Sequence, residues 1–160
     1  TLPSQIGLFT NLESLKLNGN SLTSSLPTQI GMLSKITVQL FLNSNSFTGT
    51  ILSEIGQMTL LSASMYLYSN EFSGSIPSQL GKLSLMISRF FLYSNNLIGS
   101  LPSQLGQLSA FVTSFQLQSN QLSGRIPSEL GLLTSMMDSF YLNSNSYRPS
   151  IHYLVQEHNH

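Results

Sequence analysis

The stretch FFLYSNNLIGSLPSQLG, residues 90–106, contains a pattern that runs through most of the chain. It places Asn95 eleven residues before Gly106, with apolar residues at fixed positions around both. The asparagine recurs every 25 residues, at Asn20, Asn45, Asn70, Asn95, Asn120 and Asn145. The glycine recurs at Gly7, Gly31, Gly56, Gly81, Gly106 and Gly131, with one interval of 24 and the rest of 25. A fixed period of this length predicts a solenoid built from stacked units.

Composition limits the classes of function. The 160-residue chain is 41% hydrophobic, has no cysteine and carries six basic and six acidic residues, so only 8% of it is charged. This length suits one domain with a substantial core. Sparse and balanced charge argues against nucleic acid as a partner, and the absence of cysteine excludes a disulfide framework. No apolar run approaches the length of a membrane span, so we expect no direct membrane insertion by this segment.

Each unit has a short apolar alternation just before its asparagine. Three residues before the asparagine stand Leu17, Leu42, Leu67, Leu92, Leu117 and Leu142. Five residues before it stand Leu15, Leu40, Met65, Phe90, Phe115 and Phe140. Alternation with period two predicts a short strand with one buried face, and identical units stacked in one direction predict parallel strands. A glycine and a proline then end the pattern, as at Gly99 and Pro102, so the chain must return through irregular backbone.

These features resemble the plant-type class of leucine-rich repeats, whose unit reads LxxLxLxxNxLxGxIPxxLGxL. The segments LESLKLNGNSLTSSLPTQIGML (12–33), MYLYSNEFSGSIPSQLGKL (65–83) and FQLQSNQLSGRIPSELGLL (115–133) follow it closely. The resemblance implies an α/β solenoid, a right-handed curved superhelix with a parallel β-sheet on its concave face and irregular or short helical turns on its convex face. It covers residues 1–151 as about six repeats of 24–25 residues, and it leaves 152–160 as a non-repeat C-terminal tail.

The resemblance also implies a structural role for the asparagines. In the family, these side chains turn inward and bond to the backbone of adjacent repeats, which satisfies polar groups that would otherwise be buried without partners. We therefore interpret Asn20, Asn45, Asn70, Asn95, Asn120 and Asn145 as a structural ladder.

Every repeat after the first also has one extra residue between its glycine and its asparagine. We expect that residue just ahead of the strand, as a small bulge.

Residues between the buried strand positions must point towards the open face of the sheet. Neighbouring strands lie about 4.8 Å apart, so aromatic residues at one repeat position should form a row. The candidate ligand-binding residues on this face are Phe41, Tyr66, Tyr68, Arg89, Phe91, Tyr93, Gln116, Gln118 and Tyr141. An exposed apolar patch of this kind usually marks an interaction site. The alternative is that the rings only stack on one another and stiffen the sheet.

Catalysis has little support in the sequence. The carboxylates are scattered over different repeat positions, and the one pair in register, Glu54 and Glu129, is three repeats apart. That separation is roughly 14 Å at about 4.8 Å per strand, which exceeds the spacing of paired glycosidase carboxylates. The histidines are His152, His158 and His160, and we interpret this end as a frayed tail rather than a metal site. We predict no enzymatic activity, no cofactor and no metal.

We therefore interpret the chain as a non-catalytic binding module that uses the concave sheet to recognise a protein, a peptide or a neutral glycan. The resemblance implies a segment of a longer receptor, inhibitor or adhesion protein, located outside the cell or at the cell surface. Exposed solenoid ends would also favour self-association.

A second class of function stays open, because some leucine-rich repeat proteins of this type act on ice. An ice-binding protein, antifreeze or recrystallisation-inhibiting, would use regular ladders of hydroxyl groups. The candidate ladders are Thr28, Ser53, Ser78, Ser103 and Ser128, and Thr23, Thr48, Ser73 and Ser123.

Overall fold

A computed structural model describes residues 1–148 of the chain. The predicted end of the solenoid at residue 151, the tail at 152–160 and the three histidines lie outside the described residues. Within residues 1–148 the predicted fold class is confirmed, because the chain winds through six coils, in each of which a 3-10 helix precedes a short strand and a second short strand. We number the coils one to six by their asparagines, from Asn20 to Asn145.

The strand before each asparagine belongs to a six-stranded parallel sheet. Its strands are β1 (Ser14–Lys16), β3 (Gln39–Phe41), β5 (Ser64–Tyr66), β7 (Phe90–Phe91), β9 (Phe115–Gln116) and β11 (Phe140–Tyr141), and they lie side by side in chain order. Leu40 pairs with Met65, and Met65 pairs with Phe90. The register therefore follows the 25-residue period, and equivalent side chains of successive coils lie next to one another.

The strand after each asparagine is shorter, and these strands form two smaller parallel sheets. One sheet contains β2 (Thr23–Ser24) and β4 (Ser46–Phe47), and the other contains β6 (Ser73–Gly74), β8 (Asn96–Gly99), β10 (Gln121–Gly124) and β12 (Ser146–Tyr147). The 3-10 helices are Ser4–Leu8, Thr28–Met32, Ser53–Gln57, Ser78–Lys82, Ser103–Gln107 and Ser128–Leu132. A proline precedes all of them but one, and Leu52 takes its place with a φ of −75°. Proline fixes this angle near the same value, so it prepares the chain for the helix.

The apolar positions of the repeat form one continuous core that runs through all the coils. In coil four, Leu92, Leu97 and Leu105 are completely buried. Phenylalanines stack along the core, with ring centres 5.0 Å apart for Phe90 and Phe115 and 5.3 Å apart for Phe115 and Phe140. Phe140 lies in the last described coil and is 39% exposed. Burial of an apolar side chain is worth about 1.5–3 kcal/mol, so each coil is stabilised mainly by its neighbours.

The extra residue of the later repeats enters just ahead of the strand. Between coils one and two, the backbone amides of Thr37 and Val38 both donate to the carbonyl oxygen of Glu13, at 3.1 and 3.2 Å. Two residues thus face one, which is the arrangement of a β-bulge. From coil two onwards the extra residues pair with each other, since Ser62 donates to Thr37 at 2.8 Å and Ile87 donates to Ser62 at 2.7 Å. The insertion therefore adds its own backbone ladder at the edge of the main sheet.

Each internal asparagine joins its coil to the preceding coil. Asn95 is only 7% exposed. Its Nδ2 donates to the carbonyl oxygens of Leu67, Leu92 and Tyr93 at 3.1, 3.0 and 3.3 Å, and its Oδ1 accepts the amide of Phe72 at 3.1 Å. The same four contacts occur at Asn45, Asn70, Asn120 and Asn145. These contacts satisfy the backbone at the point where the strand ends.

The residue before each asparagine has a left-handed backbone conformation. In coil one this residue is Gly19, with a φ of 66°. In the later coils it is Ser44, Ser69, Ser94, Ser119 or Ser144, with φ between 52 and 56°. A non-glycine residue in this region costs about 1–2 kcal/mol. The hydrogen bonds of the adjacent asparagine offset that cost, because the turn is what directs the amide into the core.

We expect Asn95→Ala to lower the free energy of unfolding by about 1–3 kcal/mol, because it leaves the buried amide of Phe72 without a partner. Asn20→Ala is the matched control, since Asn20 is exposed and bonds only to Leu17 and Asn18 of its own coil. We expect it to cost less than about 1 kcal/mol. Urea denaturation of both variants measures the difference. Equal losses would show that the contacts between coils contribute nothing.

Candidate functional site

Outward-pointing aromatic side chains of the main sheet stack in two rows. In the first row, the ring centres of Phe41 and Tyr66 are 4.1 Å apart and those of Tyr66 and Phe91 are 4.9 Å apart, with ring planes within 7° of parallel. In the second row, Tyr68 and Tyr93 lie 4.4 Å apart at 8°. Each row occupies one repeat position in consecutive coils. The stacking therefore follows from the register of the sheet and the spacing of its strands.

The two rows also contact each other. Tyr68 lies edge-on to Phe91 with ring centres 6.2 Å apart, and Tyr66 and Tyr68 are tilted at 5.8 Å. The resulting aromatic cluster, Phe41, Tyr66, Tyr68, Phe91 and Tyr93, is half-buried. Stacked pairs contribute about 0.5–1.5 kcal/mol beyond their burial, so the cluster stabilises the sheet. Tyr66 is stacked on both faces and presents its edge and hydroxyl to a partner, whereas each of the other four rings has one face covered by a parallel neighbour.

Two cations lie at the aromatic cluster. The Lys16 Nζ is 5.6 Å from the centre of the Phe41 ring, which is a cation–π distance. The Arg89 Nη1 donates to the Tyr66 hydroxyl at 3.3 Å. Arg89 is among the residues predicted from the sequence, whereas Lys16 was missed. Lys16 has the same repeat position as Phe41 and Tyr66, and this position could have identified it from the sequence.

The last two coils carry amides and a carboxylate on the same face. Gln116 pairs in register with Phe91 and Tyr141, so it separates Tyr141 from the aromatic cluster. Tyr141 is 46% exposed. Asp138 accepts hydrogen bonds from the hydroxyls of Ser114 and Ser139, both at 2.9 Å, and these bonds hold the pKa of Asp138 below its usual value. The face is therefore aromatic and cationic in coils one to four, and polar with one anion in coils five and six.

Two amide oxygens at the ends of the Tyr68–Tyr93 row lack hydrogen-bond partners. They are Oδ1 of Asn43 in coil two and Oε1 of Gln118 in coil five, and both are buried without a bond to any of residues 1–148. A buried acceptor without a partner costs about 1–3 kcal/mol.

Burial raises the pKa of the Tyr93 hydroxyl from 10.0 to about 12, and the neighbouring phenol of Tyr68 adds to the rise. The hydroxyl is consequently protonated at neutral pH. It can both donate and accept a hydrogen bond at the surface of the cluster.

Two members of the first hydroxyl ladder, Ser53 and Ser78, lie in a groove whose lining includes no residue of the aromatic cluster. This shallow groove of about 600 Å³ runs along the coils, and its lining includes Thr50, Ser53, Ser75, Ser78 and Ser100. Two of these hydroxyls have partners, because Ser53 donates to Glu54 at 3.0 Å and Ser78 to Gln79 at 3.4 Å. Among residues 1–148 no three His, Cys, Asp or Glu side chains come together as metal ligands.

The described part of the chain contains no helix with the length and apolarity needed to cross a membrane.

A solenoid of 24–25-residue coils with a parallel sheet, 3-10 helices and an asparagine ladder is the architecture of plant-type leucine-rich repeats. A family model for leucine-rich repeats matches residues 11–33. This match and the solved structures described next support the leucine-rich repeat family that the resemblance in sequence predicted. A search of curated protein sequences finds no match.

Solved structures support the plant-type class. The ectodomain of the receptor kinase GASSHO1/SCHENGEN3 from Arabidopsis thaliana, in complex with CASPARIAN STRIP INTEGRITY FACTOR 2, is 32% identical with a TM-score of 0.82 over 91% of this chain and 19% of that chain. The Arabidopsis receptor kinase HAESA, in complex with the peptide hormone IDA and the co-receptor SERK1, is 32% identical with a TM-score of 0.82 over 92% of this chain and 24% of that chain.

A plant ice-binding protein is 29% identical, with a TM-score of 0.75 over 83% of this chain and 42% of that chain. The chain thus spans about a fifth to a quarter of the two receptor structures and less than half of the ice-binding protein.

We expect the stability of the protein to fall above pH 10, in part because of Tyr93 and in part because burial also raises the pKa of Tyr147. Its pKa is higher in the folded chain, about 12, than the ordinary 10.0, so its contribution is complete below pH 10 and is lost as the pH rises towards 12. Thermal melts at a series of pH values should show a shallower decline for Tyr93→Phe. The unmodified protein is the reference, and a Tyr93→Phe profile identical to it would contradict the raised pKa.

Proposed function

We propose that this segment is a non-catalytic binding module that recognises a protein or peptide across its concave sheet. The observation that carries the proposal is the aromatic cluster, which is half-exposed and has Lys16 and Arg89 at its edge. Two of the similar structures are receptor ectodomains solved with peptide or protein ligands. By this likeness we also propose that the segment belongs to a longer protein at the cell surface or outside the cell.

The geometry favours a peptide over a neutral glycan. A sugar ring binds aromatic residues through their faces, but both faces of Tyr66 are covered by Phe41 and Phe91, and Tyr68 and Tyr93 each cover one face of the other. The exposed ring edges carry the positive part of the aromatic quadrupole. Together with the tyrosine hydroxyls, these edges suit the carbonyl oxygens of a peptide backbone.

The individual residues have different proposed roles. The edges of Tyr66 and Phe91 contact apolar side chains of the ligand, and Arg89 beside them attracts a carboxylate. Gln116, Gln118 and Tyr141 extend the polar contact beyond the aromatic cluster. The ligand is therefore an extended peptide with an apolar segment and an acidic group.

We expect Tyr66→Gln with Phe91→Gln to weaken peptide binding by at least about 30-fold, since aromatic anchors contribute about 2 kcal/mol or more. Gln116 shows that the sheet accepts glutamine at this repeat position. Peptides selected from a phage-displayed library would be measured by calorimetry, with circular dichroism to verify folding. Ile98→Gln is the control, because Ile98 is exposed on the second sheet. The proposal fails if both variants bind equally, or if the library yields no binder.

Ice binding is a second candidate, which the likeness to a plant ice-binding protein favours. The hydroxyl ladders repeat at the strand spacing of about 4.8 Å, and regular spacing is what a match to a crystal lattice needs. The hydroxyls that bond to neighbouring Gln and Glu side chains argue against it. The two candidates use different surfaces, so they can be separated by mutation.

If the ladders bind ice, micromolar protein should inhibit recrystallisation, and Ser78→Lys with Ser103→Lys should abolish the effect by disrupting the ladder. Tyr66→Gln with Phe91→Gln should leave it unchanged. The measurement is the growth of ice grains during annealing. Grain growth equal to that in an albumin solution would eliminate this candidate.

A further inference from the structure

Tyr68 and Tyr93 occupy the same repeat position in coils three and four, and the backbone holds their rings together. The ring centres are 4.4 Å apart and the planes are within 8° of parallel. On either side of Tyr68, the amide of Leu67 donates to Phe91 at 2.9 Å and the amide of Ser69 donates to Tyr93 at 3.1 Å. These bonds keep the two residues on adjacent strands in register, so phenols in matching rotamers lie side by side.

We propose that Tyr68 and Tyr93 are an oxidative cross-linking site, at which a peroxidase with hydrogen peroxide joins the two rings into a dityrosine. Each phenol loses one electron and one proton. The two phenoxyl radicals couple through a carbon ortho to each hydroxyl, one carbon–carbon bond forms, and the rings regain aromaticity with both hydroxyls restored. The protein thereby loses two hydrogen atoms. The peroxide takes up the two electrons and two protons and becomes two water molecules.

The surroundings of the tyrosines favour coupling between Tyr68 and Tyr93 over coupling between other tyrosines. Tyr66 is stacked on both faces by phenylalanine rings, which have no hydroxyl and form no phenoxyl radical, and it meets Tyr68 at a tilt of 56°. Tyr141 and Tyr147 have no stacked tyrosine among residues 1–148. Tyr68 and Tyr93 are also half-exposed, so an oxidant can withdraw electrons from them. The cross-link would tie coils three and four covalently and hold the aromatic cluster in one arrangement.

The test treats the dilute full chain with a haem peroxidase and limiting hydrogen peroxide. We expect dityrosine fluorescence and a monomer that has lost two hydrogen atoms. Trypsin cleaves after Lys82 and Arg89, so the bond should join peptides 36–82 and 90–125. Tyr93 is the only tyrosine in the second peptide, which makes this pair diagnostic. Pretreatment with urea should reduce the yield, because it separates the stacked rings.

Two conservative variants identify the partner of Tyr93, because peptide 36–82 contains both Tyr66 and Tyr68. Tyr68→Phe keeps the ring but removes the phenol, and we expect at least a tenfold loss of the linked peptides. Tyr66→Phe should keep the yield. Circular dichroism verifies that both variants fold. The proposal is overturned if the linked peptides persist in Tyr68→Phe, if the unmodified chain forms chiefly bonds between chains or through peptide 126–160, or if no dityrosine forms.

Discussion

The asparagine ladder is the interaction on which the rest of the structure depends. Where each short strand ends, the chain must turn through the core, and the turn leaves backbone groups that water cannot reach. Asn95 and its equivalents satisfy four such groups at once, two of them in the preceding coil. These bonds set the distance and register between coils. The left-handed serine before each asparagine, such as Ser94 at 53°, is tolerated because a buried polar group without a partner would cost more.

Because successive coils are in register, residues at one repeat position lie side by side and form a continuous surface. Phe41, Tyr66 and Phe91 are 25 residues apart in the chain, yet their rings stack at 4.1 and 4.9 Å. Stacking and recognition are therefore compatible properties of the same rings. The stack stabilises the sheet through ring faces, and it leaves ring edges, hydroxyls and two cations for a partner. This division of the ring surface is the physical reason to favour a peptide over a sugar as the ligand.

Because few residues of the chain are charged, each ionic group on the concave face matters for how a charged ligand would bind. Lys16 and Arg89 lie at the aromatic half of the concave face, whereas Asp138 lies in the polar half. An extended ligand with one acidic group would accordingly bind in one direction along the sheet. The hydroxyl groove is lined by none of these three residues, and the charged residue in its lining is Glu54. A peptide would contact the sheet, whereas ice would contact the hydroxyl groove. Substitutions on one surface therefore need not affect binding at the other.

The sequence by itself determined the repeat, the parallel strands, the buried positions and the placement of the inserted residue, because a strict period leaves each of these a single consistent arrangement. It also identified the aromatic positions of the concave face. Only the tertiary structure decided what those residues do together. Lys16 on Phe41, Arg89 on Tyr66 and the unpartnered oxygens of Asn43 and Gln118 depend on rotamers and on contacts between coils. The period specifies which side chains are neighbours, but the packing of each ring against the next specifies which of its atoms remain available to a partner.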